Sequence, residues 1–249
     1  NYSTNGSGIV CTDALDGTTT NSTFANFNGT ILTYRGANEP MATAGFLNVS
    51  ASGNTVNYNG SVQTVKSTTY FNLSYTAAGA KTTGDATILG TMTRTNGTLT
   101  FNGTQIFSGS TAGALNTNTT LTFNELQINK AGSTLTLLNG NINTTKLTVS
   151  AGSLVFGTVA RTITLTDDLA GAGTLDMTGA THILNLGGAN NTIGNLLTDG
   201  NASRINYNRT GDQEVFSSLN YQSLFISGSG TKTLGGAIKV AGNLNFTSA

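Results

Sequence analysis

Charge is scarce in this chain. Only 9% of its 249 residues are charged, with 11 basic and 11 acidic side chains and a formal net charge of zero. Ordinary domains carry roughly a quarter. A chain with no basic surplus has no electrostatic footprint for nucleic acid or for an anionic membrane surface, so nucleic acid is not an expected partner. Trp is absent, and Pro40, Cys11 and His182 are the only residues of their types. One cysteine cannot form an internal disulfide. Its plain reading is a small buried residue in the first turn, and its alternative is an intermolecular link. One His and one Cys cannot make a zinc site, and the Gly-Gly-x-Gly-x-Asp calcium repeat is missing. No apolar run reaches the roughly 18 residues that a spanning helix needs, so no membrane insertion is expected. The first eight residues have neither a basic start nor an apolar stretch, as expected if a secretion signal has been removed.

Glycine, Thr and Asn fill the space. Gly numbers 32, and Thr and Asn occupy most polar positions. Thr favours extended backbone, whereas Gly and Asn tolerate tight turns. Apolar residues alternate over short stretches, as in Leu121-Thr-Phe123, Leu147-Thr-Val149, Ile163-Thr-Leu165 and Leu244-Asn-Phe246. Period two over three to five residues predicts short strands with one buried face, and no window keeps a helical period. From Leu126 to Leu147, Leu154 to Leu175 and Leu175 to Leu196 the interval is 21 residues each time. The expected fold is therefore all-β, a right-handed parallel β-helix (β-solenoid) with coils of about 20–21 residues. At that period the chain makes roughly 12 coils and a rod on the order of 55 Å long. An immunoglobulin-like sandwich array is the competing architecture. Residues 1–50 contain Cys11, Arg35, Glu39 and Pro40 and fit the pattern least. They read as irregular first coils or a cap, and 51–249 as β-helix repeats.

A longer repeat lies over the short one. Val56-Asn57-Tyr58-Asn59 returns as Ile205-Asn206-Tyr207-Asn208, and the two segments keep matching. Gln63, Val65, Tyr70, Leu73 and Gly79-Ala80-Lys81-Thr82 correspond to Gln213, Val215, Tyr221, Leu224 and Gly230-Thr231-Lys232-Thr233. The phrase resembles the low-complexity β-repeats of large secreted surface proteins of the Bacteroidetes type, gliding adhesins among them. The resemblance covers 54–103 and 203–249 well, 115–157 loosely and the first 50 residues hardly. It implies export, placement on the cell surface or in a filament, and a structural or adhesive role without catalytic residues. The Asp-Ser/Thr sites commonly glycosylated in such bacteria are absent here. Differences between the copies, such as Gly60 against Arg209, point to solvent-facing positions free to vary. The final Leu244-Asn-Phe246 has the alternation of an interior strand with no legible cap after Gly242. The expected partner is therefore the same chain continued, or another copy stacked end to end, with surface glycans a further class.

A β-helix can also host catalytic chemistry. Asp167-Asp168, His182 and Arg204-Ile205-Asn206 loosely resemble elements of polygalacturonases, β-helical enzymes that need carboxylates fixed across a sugar ring. The glycines flanking the His motif are missing and Asn206 stands where Lys belongs, so turn aspartates and a hydrogen-bonded histidine are the expected outcome. Gly187-Gly188 lacks the Lys-Ser/Thr of a phosphate loop and reads as a turn. Tyr58 and Tyr207 are open to two readings, a sugar-stacking face or core packing. Thr-x-Thr pairs at Thr18-Thr20, Thr91-Thr93-Thr95, Thr134-Thr136 and Thr162-Thr164-Thr166 resemble ice-binding β-helices. They do not recur at a constant coil position and read as ordinary solvent-facing β residues. No catalytic residue, metal ligand or cofactor site is expected.

Overall fold

The structure, a computed structural model, describes residues 2–4 and 8–247, and none of these lies in a helix. Its strands pair in parallel with strands one coil away, forming a β-solenoid of about 11 turns. The expected stacking at intervals near 21 residues is what is found. Three ladders of strands run along the axis. Ladder one contains Ile31–Tyr34, Thr55–Tyr58, Asn72–Tyr75, Met92–Arg94 and, further on, Thr174–Asp176 and Asn195–Leu197. Ladder two contains Thr69–Tyr70, Ala86–Ile88 and Thr104–Ser108. Ladder three contains Gln63–Val65, Ala80–Thr83, Thr98–Phe101, Thr162–Leu165, Ile183–Leu186, Arg204–Tyr207, Ser223–Ile226 and Leu244–Phe246. The two long strands Leu121–Asn139 and Ile142–Val155 turn the corners and contribute to all three.

Alternation decides what points inward. In ladder three Ile163, Leu184, Ile205 and Leu224 stack in register, all at 1% exposure or less. In ladder one Leu73, Met92, Leu115 and Leu137 do the same. Burying each such side chain contributes about 1.5–3 kcal/mol, so the core is a narrow column continuous from coil to coil. The early coils are less even. Leu32 faces Val56 across 24 residues, Val56 faces Leu73 across 17, and Met92 faces Leu115 across 23. Length changes are absorbed at corners, where no register needs to be kept. Residues 9–48 already lie in this stack, pairing Ile9–Cys11 with Ile31–Tyr34 and Thr23–Asn26 with Phe46–Asn48.

The long repeat has an unexpected placement. Thr55–Tyr58 and Asn72–Tyr75 belong to ladder one, but their counterparts Arg204–Tyr207 and Ser223–Ile226 belong to ladder three. The second copy is therefore advanced by seven coils and one further ladder. Equivalent residues face different sides of the rod, which the sequence interval alone does not reveal. What is repeated is a local packing device, not a place on the surface.

Candidate functional site

The residues with polygalacturonase-like spacing do not converge. His182 is fully buried at the corner before Ile183–Leu186. Its Nδ1 accepts a hydrogen bond from the Arg161 amide at 3.2 Å, and its Nε2 faces the carbonyls of Gly157 and Thr178 at 3.0 and 3.2 Å. That set fits a neutral ring protonated on Nε2, and burial pushes its pKa below the usual 6.5. Asp168 sits at the other end of ladder three, after Thr162–Leu165, where its Oδ1 accepts the Asn190 amide at 2.8 Å. The four-residue strand Thr162–Leu165 and the bend after it set the two positions apart by on the order of 20 Å. Arg204 points outward and lies over the Phe225 ring, 5.3 Å from its centroid. No acid–base pair across a sugar ring can form from these groups. Gly187–Gly188 is a closed turn, in which the Gly188 carbonyl accepts from Asn191 and Gln213. Cys11 is half-buried against the core, with its thiol on the Asp13 carbonyl at 3.3 Å.

Tyr58 and Tyr207 are core residues. Both are 0% exposed, so the sugar-stacking reading does not hold. Tyr58 pairs its hydroxyl with that of Tyr70 at 2.9 Å and accepts the Lys66 amide at 3.1 Å. Tyr207 pairs with Tyr221 at 2.9 Å and accepts the Phe216 amide at 3.2 Å. Tyr70 and Tyr221 donate onward to the Lys66 and Phe216 carbonyls. The matching glutamines close the adjacent corner. Gln63 donates to the Tyr34 and Gly36 carbonyls, and Gln213 to those of Leu186 and Gly188. Gly60 was expected to be a solvent-facing, variable position, and it is not. It is buried, and a Cβ there would lie 2.5 Å from the Arg35 carbonyl oxygen.

The lysines of the phrase carry a role that the sequence reading missed. Lys81 is fully buried, and its Nζ donates to the carbonyls of Gly60 at 2.8 Å, Ser61 at 3.0 Å and Ala78 at 3.4 Å. Lys232 does the same with Arg209 at 2.7 Å and Gly211 at 3.0 Å. Lys130 reaches the carbonyls of Leu89, Ser108 and Thr111, tying three coils together. Each ammonium meets backbone carbonyls near a corner where the chain changes ladder, and burial lowers its pKa, to about 8 for Lys130. The recurring Gly-x-Lys-Thr was the available signal. A cation surrounded by backbone is invisible to a search for charged partners.

Thr91-Thr93-Thr95 and Thr134-Thr136 lie on ladder one and Thr162-Thr164 on ladder three, so these pairs do not share one coil position. Individual threonines do recur at a constant place, on the outer side of ladder three. Thr64 faces Thr82 and Thr82 faces Thr100. Phe101 stacks on Phe123 at 4.5 Å, which sets Thr100 beside Thr122. Thr122 then faces Asn143, and Asn143 faces Thr164. Coils of 18, 18, 22, 21 and 21 residues hide this column in the sequence.

Recesses are small. One of about 180 Å³ is lined by Leu15, Asp16, Phe24 and Met41. The Asp16 carboxylate there is held by the amides of Gly17, Thr43 and Ala44 at 2.9–3.1 Å, and those bonds lower its pKa. Among the described residues no group of three or more His, Cys, Asp or Glu could hold a metal ion. No helix among them is long and apolar enough to cross a membrane. No protein-family model, curated protein or solved structure matches this chain.

Proposed function

We propose that the chain is a structural and adhesive repeat segment of an extracellular surface protein or filament, without a catalytic role. The observation that carries this reading is where its buried polar chemistry goes. The tyrosine pairs, corner glutamines and lysines bond to one another or to backbone of neighbouring coils, and none faces a cleft. Such groups specify and stiffen a stack; they are not available to a substrate. The neutral, low-charge surface and the resemblance of the repeated phrase to Bacteroidetes-type surface repeats favour a place outside the cell.

The proposal includes a partner of the same kind, this chain continued or another copy stacked end to end. Leu244 and Phe246 are 49% and 68% exposed, although they pair in register with the buried Leu224 and Ile226. The test is antibody labelling of intact cells that make the protein, combined with an adhesion assay and a polysaccharide-hydrolysis screen of the purified chain. Surface label with adhesion and no hydrolysis supports the reading. Label only after permeabilisation, or turnover of any polysaccharide, refutes it.

A further inference from the structure

We propose that the outer side of ladder three, from the coil of Gln63–Val65 to that of Thr162–Leu165, is an ice-binding face, a surface that adsorbs to the regular lattice of frozen water. This stands apart from the structural role and would fail or hold independently of it. The central column Thr64, Thr82, Thr100, Thr122, Asn143 and Thr164 has a second column beside it two residues earlier along the strands, including Thr98, Thr120 and Thr162. From the coil of Thr98–Phe101 to that of Thr162–Leu165 every outward position of these two columns is Thr or Asn. Backbone geometry fixes the grid, with rows about 4.8 Å apart and alternate residues about 6.7 Å apart along each strand.

The chemistry of the grid selects the occupant. It bears no charge and no aromatic ring, so it offers neither ion pairing nor a platform for sugar stacking. Each Thr presents a methyl and a hydroxyl on a side chain with restricted rotation, so little freedom is lost on binding. Among the described residues no hydrogen bond reaches the hydroxyls of Thr64, Thr82, Thr100 and Thr122, whereas that of Thr164 accepts from Asn185 at 3.0 Å. An ordered water surface provides no deep pocket and no charge, so a protein must hold it by many equal, weak contacts at fixed spacing. The other sides of the rod do not supply this. Ladder two turns Glu125 and Lys146 outward in register, and ladder one turns out Asp176 and Leu197.

The experiment freezes a dilute solution of the purified chain slowly onto a cold finger, and measures its partition into ice and its inhibition of ice recrystallisation. Thr122→Lys and Asn143→Lys each place a long charged side chain in the centre of the grid. Ser110→Lys places the same charge on an exposed turn elsewhere. Thermal melts of all three confirm folding, and any variant that melts early is read through the other grid variant. The chain and Ser110→Lys are expected to enter the ice and restrain crystal growth, and the two grid variants to lose most of that activity. Exclusion of the unmodified chain from ice, as for an inert protein, overturns the proposal. Equal behaviour of the grid variants and Ser110→Lys overturns it as well.

Discussion

The hydroxyls of Tyr58 and Tyr70 meet at 2.9 Å in the core, and the Tyr58 oxygen also accepts the Lys66 amide. The two tyrosines sit on adjoining ladders of one coil, so their bond fastens a corner from inside. Tyr58→Phe leaves the Lys66 amide and one Tyr70 interaction unsatisfied in a dry interior, which costs about 1–3 kcal/mol. Tyr207→Phe should cost a similar amount at the other end of the rod. Urea midpoints of the two single variants and of Tyr58→Phe/Tyr70→Phe check this. The double variant is expected to lose less than the sum of its parts, because the shared bond is removed once.

Gly79 tests the corner geometry. Its φ is 99°, and a Cβ would lie 1.8 Å from the Ser61 carbonyl oxygen, one of the acceptors for the Lys81 ammonium. Gly79→Ala therefore strains the turn and displaces the lysine cage together. A loss of at least about 2 kcal/mol is expected from a left-handed alanine with a backbone clash. Gly29, with φ 68° and open space around its Cβ position, has only the first of these penalties. Gly29→Ala should be the milder substitution in the same melt.

Alkaline pH should first stabilise the rod and then weaken it. Burial lowers the Lys130 pKa from 10.5 to about 8. Between those values the unfolded chain binds more protons than the folded one, so stability rises with pH. Burial raises the pKa values of Tyr58, Tyr70, Tyr75, Tyr207 and Tyr221 above 10. Above pH 10 the unfolded tyrosines ionise while the folded ones do not, and stability falls. Urea midpoints should climb from pH 8 to a maximum near 10 and then drop. Lys130→Met should flatten the climb and leave the drop.

His182 governs part of the acid limb. Its folded pKa lies below the unfolded 6.5 because the ring is buried. Its contribution is complete above 6.5 and is lost as pH falls from there to the folded value, where the unfolded chain alone takes up the proton. A proton on Nδ1 would also oppose the Arg161 amide that donates to it. His182→Gln should lower stability at neutral pH and shallow the loss just below 6.5, measured as melting temperature against pH.

Much of the fold was legible because short-range alternation and the 21-residue interval are both imposed by the core. Leu154, Leu175 and Leu196 could be aligned by counting, and the structure stacks them. The placement of the long repeat was not legible. Tyr58 and Tyr207 match in sequence, yet a rod with three similar sides can put the same device on any of them. The threonine column escaped for a related reason, since uneven corners shift the interval between Thr82, Thr100 and Thr122. The lysine cages escaped because their partners are carbonyls, which every sequence contains. His182 and Asp168 could be set aside from sequence on missing neighbours, and the structure puts them at opposite ends of ladder three on adjacent coils.

The central claim is that this chain acts as a rod whose coils support one another, and stretching a single molecule by its two ends tests it most directly. Apart from Lys130, which bridges three coils, the ladder contacts join each coil to its neighbours, so the stack should give way coil by coil. The expected trace is a series of small, similar steps, each releasing about 21 residues or roughly 70 Å of chain. A single all-or-none rupture of the whole length, or extension at negligible force, would contradict the account.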